Sequence, residues 1–370
     1  MKRRRLKSGR ANILLPVVLA ILIVALTSGT TYAGSYKYEE TVRKTVPLKG
    51  ETVIVINSKG DDITVIGEEG AKEIFLEAIK TVKAEDREVA ERLAQMIEIE
   101  IERDGDELKI NVKYPKQHEV KRNILSYLFQ RHPRMGMNIH LTIPSELDVN
   151  ANTASGDVTV SDILGSTQIS AASGDIKATN IGGFLRIGVA SGEIDAAKVN
   201  GEARLASASG DISARNVAGD AAVSTASGDI KLSEIDGNLD IQTASGDATV
   251  DGVGTVSFKG TSGSAQFIDV RGGVEAASAS GDLSFRLIPM EDFDYKIGTS
   301  SGDITLRFLK PMAGGFVLKA STTTGEISVN LPIKVSKVGR NTVSGIVRDG
   351  KSKVLLETAS GDITISEPEE

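Results

Sequence analysis

The chain has 370 residues, a formal net charge of −7, no cysteine, no tryptophan and only 4% aromatic residues. The absence of cysteine excludes disulfides, thiolate metal centres and cysteine nucleophiles together, and it leaves the redox compartment open. So few aromatics beside 38 glycines argue against a large aromatic-filled core and suit narrow, tightly stacked coils.

Residues 1–33 read as a leader. Lys2, Arg3, Arg4, Arg5, Lys7 and Arg10 make a basic start, Ile13 to Leu26 is apolar, and Thr31-Tyr32-Ala33 offers a small-residue cleavage site before Gly34. That order matches a secretory signal peptide. The apolar stretch of 14 residues is shorter than the roughly 20 expected of a spanning helix. Cleavage is the favoured reading and an uncleaved N-terminal anchor the other; both place the body outside the cytoplasm. Losing the six positive charges of residues 1–33 takes the net charge from −7 to −13. An acidic surface of that kind argues against broad nucleic-acid binding, which needs cations to neutralise phosphates. It favours solubility instead.

Residues 34–150 read as a β-rich capping region with one helix. Val53, Val55, Asn57-Ser58-Lys59-Gly60-Asp61-Asp62, Ile63 and Val65 already have the pattern of a coil. Glu85 to Met96 then reads as a helix with Val89, Leu93 and Met96 on one face. A hairpin follows: Ile97, Ile99 and Ile101 alternate with glutamates, Asp104-Gly105 turns, and Leu108, Ile110 and Val112 return. Helix and hairpin together are expected to cover the open end of the first coil. In residues 116–134, Lys116, Lys121, Arg122, Arg131 and Arg134 surround Ile124, Leu125, Tyr127, Leu128 and Phe129. Two readings stand: a surface loop with a partly buried apolar face, or a contact for an anionic membrane or wall polymer. His118, His132 and His140 lie nearby, but spacings of 14 and 8 residues fit no metal motif, and His140 is expected to face solvent.

From residue 151 to 366 the chain reads as a β-solenoid. Ser155-Gly156-Asp157 returns every eighteen residues, at Ser173-Gly174-Asp175, Ser191-Gly192-Glu193, Ser209-Gly210-Asp211, Ser227-Gly228-Asp229 and Ser245-Gly246-Asp247. A fixed period of this size signals a solenoid. Counting from the acidic residue, positions 2, 4 and 7 are apolar or small, as in Ile230, Leu232 and Ile235. Position 9 is glycine, as in Gly165, Gly183, Gly201, Gly219 and Gly237, and positions 11, 13 and 15 are apolar or small again, as in Leu239, Ile241 and Thr243. Alternation says strand and glycine at fixed offsets says corner. The expected fold is therefore all-β, a single-stranded parallel β-helix of about 18-residue coils with two short strands and two corners each. Parallel crossovers favour a right-handed path. A stack of hairpins is the alternative, on the signals Asn200-Gly201 and Asp236-Gly237.

Stacking brings Asp157, Asp175, Glu193, Asp211, Asp229 and Asp247 into one column. Like charges about 4.8 Å apart repel by about 1 kcal/mol even in water, so something must offset them. Corner chemistry is the simpler reading: the carboxylates accept from turn N–H groups while glycine takes φ > 0. A column of calcium ions is the sharper one, although one carboxylate per coil is few for a cation that wants six to eight oxygens. Regularity then fades. One coil is short by a residue and puts Ser264 in the acidic position, and later steps lengthen to Ser280-Gly281-Asp282, Ser301-Gly302-Asp303, Thr324-Gly325-Glu326 and Ser360-Gly361-Asp362. Residues 331–358 read as an elaborated last coil that caps the array. No catalytic, cofactor-binding or metal motif is found.

These Ala-Ser-Gly-Asp-Ile units resemble the bacterial putative-adhesin family of unknown function, also called toastrack-like. The likeness extends to the lead-in Ile139-His140-Leu141-Thr142-Ile143-Pro144. It also takes in the ending, from Glu326-Ile327-Ser328-Val329 through Val343-Ser344-Gly345-Ile346 to Thr358-Ala359-Ser360-Gly361-Asp362-Ile363. The resemblance implies an extracytoplasmic or membrane-associated β-solenoid and assigns no catalytic or ligand residues. The expected function is a non-catalytic, adhesin-like or interaction scaffold of the cell envelope, whose partner is an envelope protein or a surface polymer. The alternatives are an envelope-stress sensor or regulator, and a carbohydrate-active β-helix enzyme.

Overall fold

The structure is a computed structural model and describes residues 26–32, 35–115, 133–287, 293–309, 315–348 and 350–367. The basic start, most of the apolar stretch of the leader and nearly all of the basic segment 116–134 lie outside those residues. Two sheets of sixteen strands each face one another across a single continuous core. In a regular coil, β9 (Asp148–Thr153) runs in the second sheet, the Ser-Gly-Asp corner crosses over, and β10 (Val158–Ile163) runs in the first. The glycine corner leads back to β11 (Thr167–Ser173), which pairs in parallel with β9. Further strands alternate in this way up to β25 (Tyr295–Ser301) and β26 (Ile304–Phe308). All these neighbours pair in parallel, as a solenoid requires and a stack of hairpins does not.

Each coil buries its inward alternate residues. In one coil these are Ile230, Leu232, Ile235, Leu239 and Ile241, each at most 1% exposed. The core is aliphatic in the early coils and takes in rings later: Phe267 and Phe285 of successive coils stack with centroids 4.7 Å apart, and Phe258 from the second sheet meets Phe267 edge-on at 5.6 Å. One feature departs from the two-strand, two-corner expectation. Asp162, Asn180, Lys198, Asn216 and Glu234 stand one above another in the left-handed region, with φ between 55 and 61°. The kink swings the next residue inward, so Val160 and Ile163 are both buried although three positions apart. The apolar spacing 2, 4, 7, in place of 2, 4, 6, was the trace of it in the sequence.

The N-terminal end is built out of chain order. β3 (Val53–Asn57) and β4 (Ile63–Glu68) form a coil directly beneath β9 and β10. The chain then leaves through β5 (Glu73–Ala84), α1 (Arg87–Gln95), β6 (Glu98–Asp104), β7 (Glu107–Lys113) and β8 (Arg134–Pro144). Strands β7 and β8 stack in parallel on the outer side of β3 and β4, as one further coil. β6 closes the second sheet as the antiparallel partner of β7. The first sheet continues antiparallel through β5, β2 (Ser35–Pro47) and β1 (Leu26–Tyr32). The helix starts at an Asp86 cap whose side chain accepts from the Glu88 amide, and it buries Ala90, Leu93 and Ala94 against this end.

The C-terminal end repeats the device. β27 (Phe316–Thr324) and β28 (Ile327–Asn330) form the outermost coil, and β31 (Ser352–Ser360) and β32 (Ile363–Ser366) slot between them and β25 and β26. The hairpin β29 (Lys334–Gly339) and β30 (Thr342–Val347) extends the second sheet antiparallel from β27. Residues 331–358 therefore supply a hairpin beyond the array and a strand within it.

Candidate functional site

The Ser-Gly-Asp column repeats a carboxylate in most coils, and its geometry shows how these groups are spent. Gly174, Gly192, Gly210, Gly228 and Gly246 hold φ between 111 and 143°. A Cβ there would sit 2.1–2.2 Å from the carbonyl oxygen of the glycine one coil back, so glycine is required both for conformation and for space. Where the residue below is an aspartate, the backbone N–H of the next acidic residue donates to its Oδ1; the step from Asp211 down to Glu193 lacks this bond. Asp175 donates to Asp157 at 2.9 Å, Asp229 to Asp211 at 2.8 Å and Asp247 to Asp229 at 2.9 Å. The ladder survives where the period fails: the Ser264 amide donates to Asp247 at 2.8 Å, and the Ser264 hydroxyl accepts from Asp282 at 3.4 Å. At the far end Asp362 donates to Asp303 and Glu326 to Asp362, both at 2.8 Å, which carries the out-of-order coil into the same column. The aspartates thus offset their like-charged neighbours by accepting a charge-assisted amide bond. Among the described residues no group of three or more His, Asp or Glu side chains could hold a metal ion.

The first coil breaks the pattern in a way that the sequence reading missed. Asp61 occupies the glycine position of the corner and is 1% exposed. Its carboxylate accepts from the Ser58 hydroxyl at 2.6 Å, from the Met137 amide and from the Tyr114 hydroxyl. Burial first, then the bond to Asp61, pushes the Tyr114 phenol above its ordinary value of 10.0. Ser58 belongs to the inner coil while Tyr114 and Met137 belong to the outermost one, so this knot clamps the terminal coil on. Its trace was an extra aspartate in Gly60-Asp61-Asp62. A similar clamp holds the β2–β3 turn: Glu51, 6% exposed, accepts from Arg103 at 2.6 Å.

A family model described as Toastrack DUF4097 matches residues 52–259 and 237–366. The chain belongs to that family. No curated protein matches it by sequence. Among solved structures, a putative cell adhesion protein from Clostridium sporogenes is 15% identical, with 89% of this chain and 100% of that one covered and a TM-score of 0.24. A putative lipid binding protein from Parabacteroides distasonis is 16% identical, covering 87% and 96%, with a TM-score of 0.26. A putative adhesin from Bacteroides fragilis is 11% identical, covering 88% and 96%, with a TM-score of 0.28. Similarity this low says nothing of what the chain binds.

Among the described residues this Toastrack wall carries open grooves. One follows the left-handed column, lined by Asn180, Lys198, Asn216 and Glu234 together with Asp236 and Arg271. Its cations and anions are mixed, and Arg271 reaches Asp236 at 3.6 Å. His140 is exposed on the outer face of β8, as expected, while His118 and His132 lie outside the described residues. Exposed apolar residues gather near the first coils, with Leu164 57% and Phe184 49% exposed. Others mark the C-terminal hairpin, where Val335 is 52% and Val338 70% exposed.

Proposed function

We propose that the protein is a non-catalytic, extracytoplasmic β-solenoid serving as an adhesin-like or interaction scaffold of the cell envelope. The observation that carries this is the commitment of the repeated carboxylates to backbone amides of the next coil, which leaves them as structure and not as reactive groups. Residues 1–33, with their basic, apolar and small-residue order, support export. Among the described residues no helix is long and apolar enough to cross a membrane. A long, regular wall with solvated charges is a surface for contact, and its partner on this reading is an envelope protein or surface polymer. Fractionation of the cells that make the protein, followed by crosslinking of the native chain, tests the proposal. The expected result is an envelope or secreted fraction with a discrete crosslinked partner. Retention in the cytosol, or turnover of a polysaccharide panel, overturns it.

A further inference from the structure

Among the described residues the second sheet ends in two edges without a further strand, β6 at the N-terminal end and β29 at the C-terminal end. Free edges present unpaired N–H and C=O groups and invite strand addition. These two are oppositely charged. Along β6 the register puts Glu98, Glu100, Glu102 and Asp104 on the outer face, opposite Lys113, Asn111, Lys109 and Glu107 of β7. Ile99 and Ile101 face inward, beside the buried Ile110 and Val112. Along β29 a bulge at Ser336 keeps Lys334 and Lys337 on one face and Val335 and Val338 on the other. Lys334 lies opposite Ile346, which pairs with Val317 on the outer side of the sheet, whereas Val335 and Val338 continue the inward side of Leu318 and Ala320. Every residue of β29 is exposed, and neither lysine is held in an ion pair with a described residue.

We propose that copies of this protein join end to end, β29 of one pairing with β6 of the next. Such pairing matches both faces at once: lysines meet glutamates outside, and valines meet isoleucines inside. The strand directions agree. β6 is antiparallel to β7, and β29, antiparallel to β30, runs with the parallel coils, so the two edges meet antiparallel. The ends are also stepped in a complementary way. Beyond the outermost N-terminal coil the first sheet adds β5, β2 and β1 while the second adds β6 alone. Beyond the outermost C-terminal coil the second sheet adds β30 and β29, while the first adds no strand among the described residues. One shift of about 77 Å along the axis, sixteen strand spacings, brings β29 beside β6. It brings β28 beside β1 only where the leader is retained, because β1 belongs to residues 1–33; with the leader cleaved the first sheets stand one strand apart. A head-to-tail contact of this kind propagates as an open filament, not a closed dimer.

The inference rests on the two edges and not on where the protein works, so the fractionation result leaves it untouched. The test is sedimentation of the protein as its cell produces it, over a wide range of protein concentration and at low and high salt. Wild type is expected to grow beyond a dimer with concentration and to shrink as salt screens the contact. Charge reversal at either end, K334E with K337E or E98K with E102K, is expected to weaken association by about tenfold or more. Because a variant could fail by misfolding, the two reversed proteins are also mixed, and the complementary ends should restore assembly. A monomeric wild type, reversed variants that assemble as readily as wild type, or a mixture that stays monomeric overturns the proposal. So does a monomer that sediments with anionic lipid vesicles through β29, which would assign the edge to a membrane.

Discussion

At the scale of single residues, the repeated glycine is the position with least freedom. Gly210 combines a φ of 143° with a Cβ site 2.1 Å from the Gly192 carbonyl oxygen. A methyl group there must push two coils apart or bend the corner. Gly210→Ala is expected to cost roughly 2–5 kcal/mol, from strain at positive φ together with overpacking. Gly188 is the control: an added Cβ meets nothing within 4 Å, and Gly188→Ala should stay within about 0.5 kcal/mol of wild type. Denaturant melts of the two variants check this, and equal losses would show that the corner tolerates a side chain. Aspartate beside that glycine is constrained more softly. Its oxygen must reach the next amide, which Asp175 does at 2.9 Å and which Ser264 does only at 3.4 Å.

At the scale of elements, the terminal coils hold on by specific polar contacts as well as by stacking. β7 and β8 have a coil on one side only, and the Asp61 knot ties the residues next to them to the Ser58 corner. Tyr114→Phe removes one donor from a buried carboxylate and should cost about 1.5–3 kcal/mol near neutral pH. The pH dependence has a defined sign. The folded-state value of Tyr114 is raised above its ordinary 10.0, so the contribution is complete below that pH and is lost as the pH climbs past it toward the folded-state value. Thermal melts from neutral to alkaline pH should therefore fall faster for wild type than for the Phe variant above about pH 10. Parallel curves would mean that Tyr114 is not the group responsible.

For the whole molecule, stability is close to a sum of coil and interface terms, because each coil touches only its neighbours. Removing residues 212–229 takes out one complete coil and brings Asp211 directly before Ile230, with Gly246 falling on Gly210. The inward residues stay inward, since Ile194 would pair with Ile230 and Leu205 with Ile241 in the manner of existing pairs. The shortened protein is expected to fold with a cooperative melt and a β-rich circular dichroism spectrum. Removing only residues 212–220 puts a Ser-Gly-Asp corner where a glycine corner belongs, and that protein should not fold cooperatively. Two similar melts would argue against a strictly periodic core.

The sequence by itself determined the coil. Glycine and aspartate every eighteen residues, with apolar residues alternating between them, are local signals, and the same corner follows wherever they recur. The helix before the hairpin was legible for the same reason, since Val89, Leu93 and the Asp104-Gly105 turn act within a few residues of themselves. The left-handed kink at Asp162 and its successors was legible only as a faulty spacing. Tertiary structure alone decided the order of stacking at the two ends. An alternating strand such as β7 or β31 carries no mark of which neighbour it joins, because any parallel edge offers the same hydrogen bonds. Burial settled the matter: β31 gains two partners by slipping between β25 and β27, and β7 covers an edge of β3 that would otherwise stay open. That choice also leaves β6 and β29 at the ends, and it turned glutamates and lysines that looked like ordinary surface into two complementary edges.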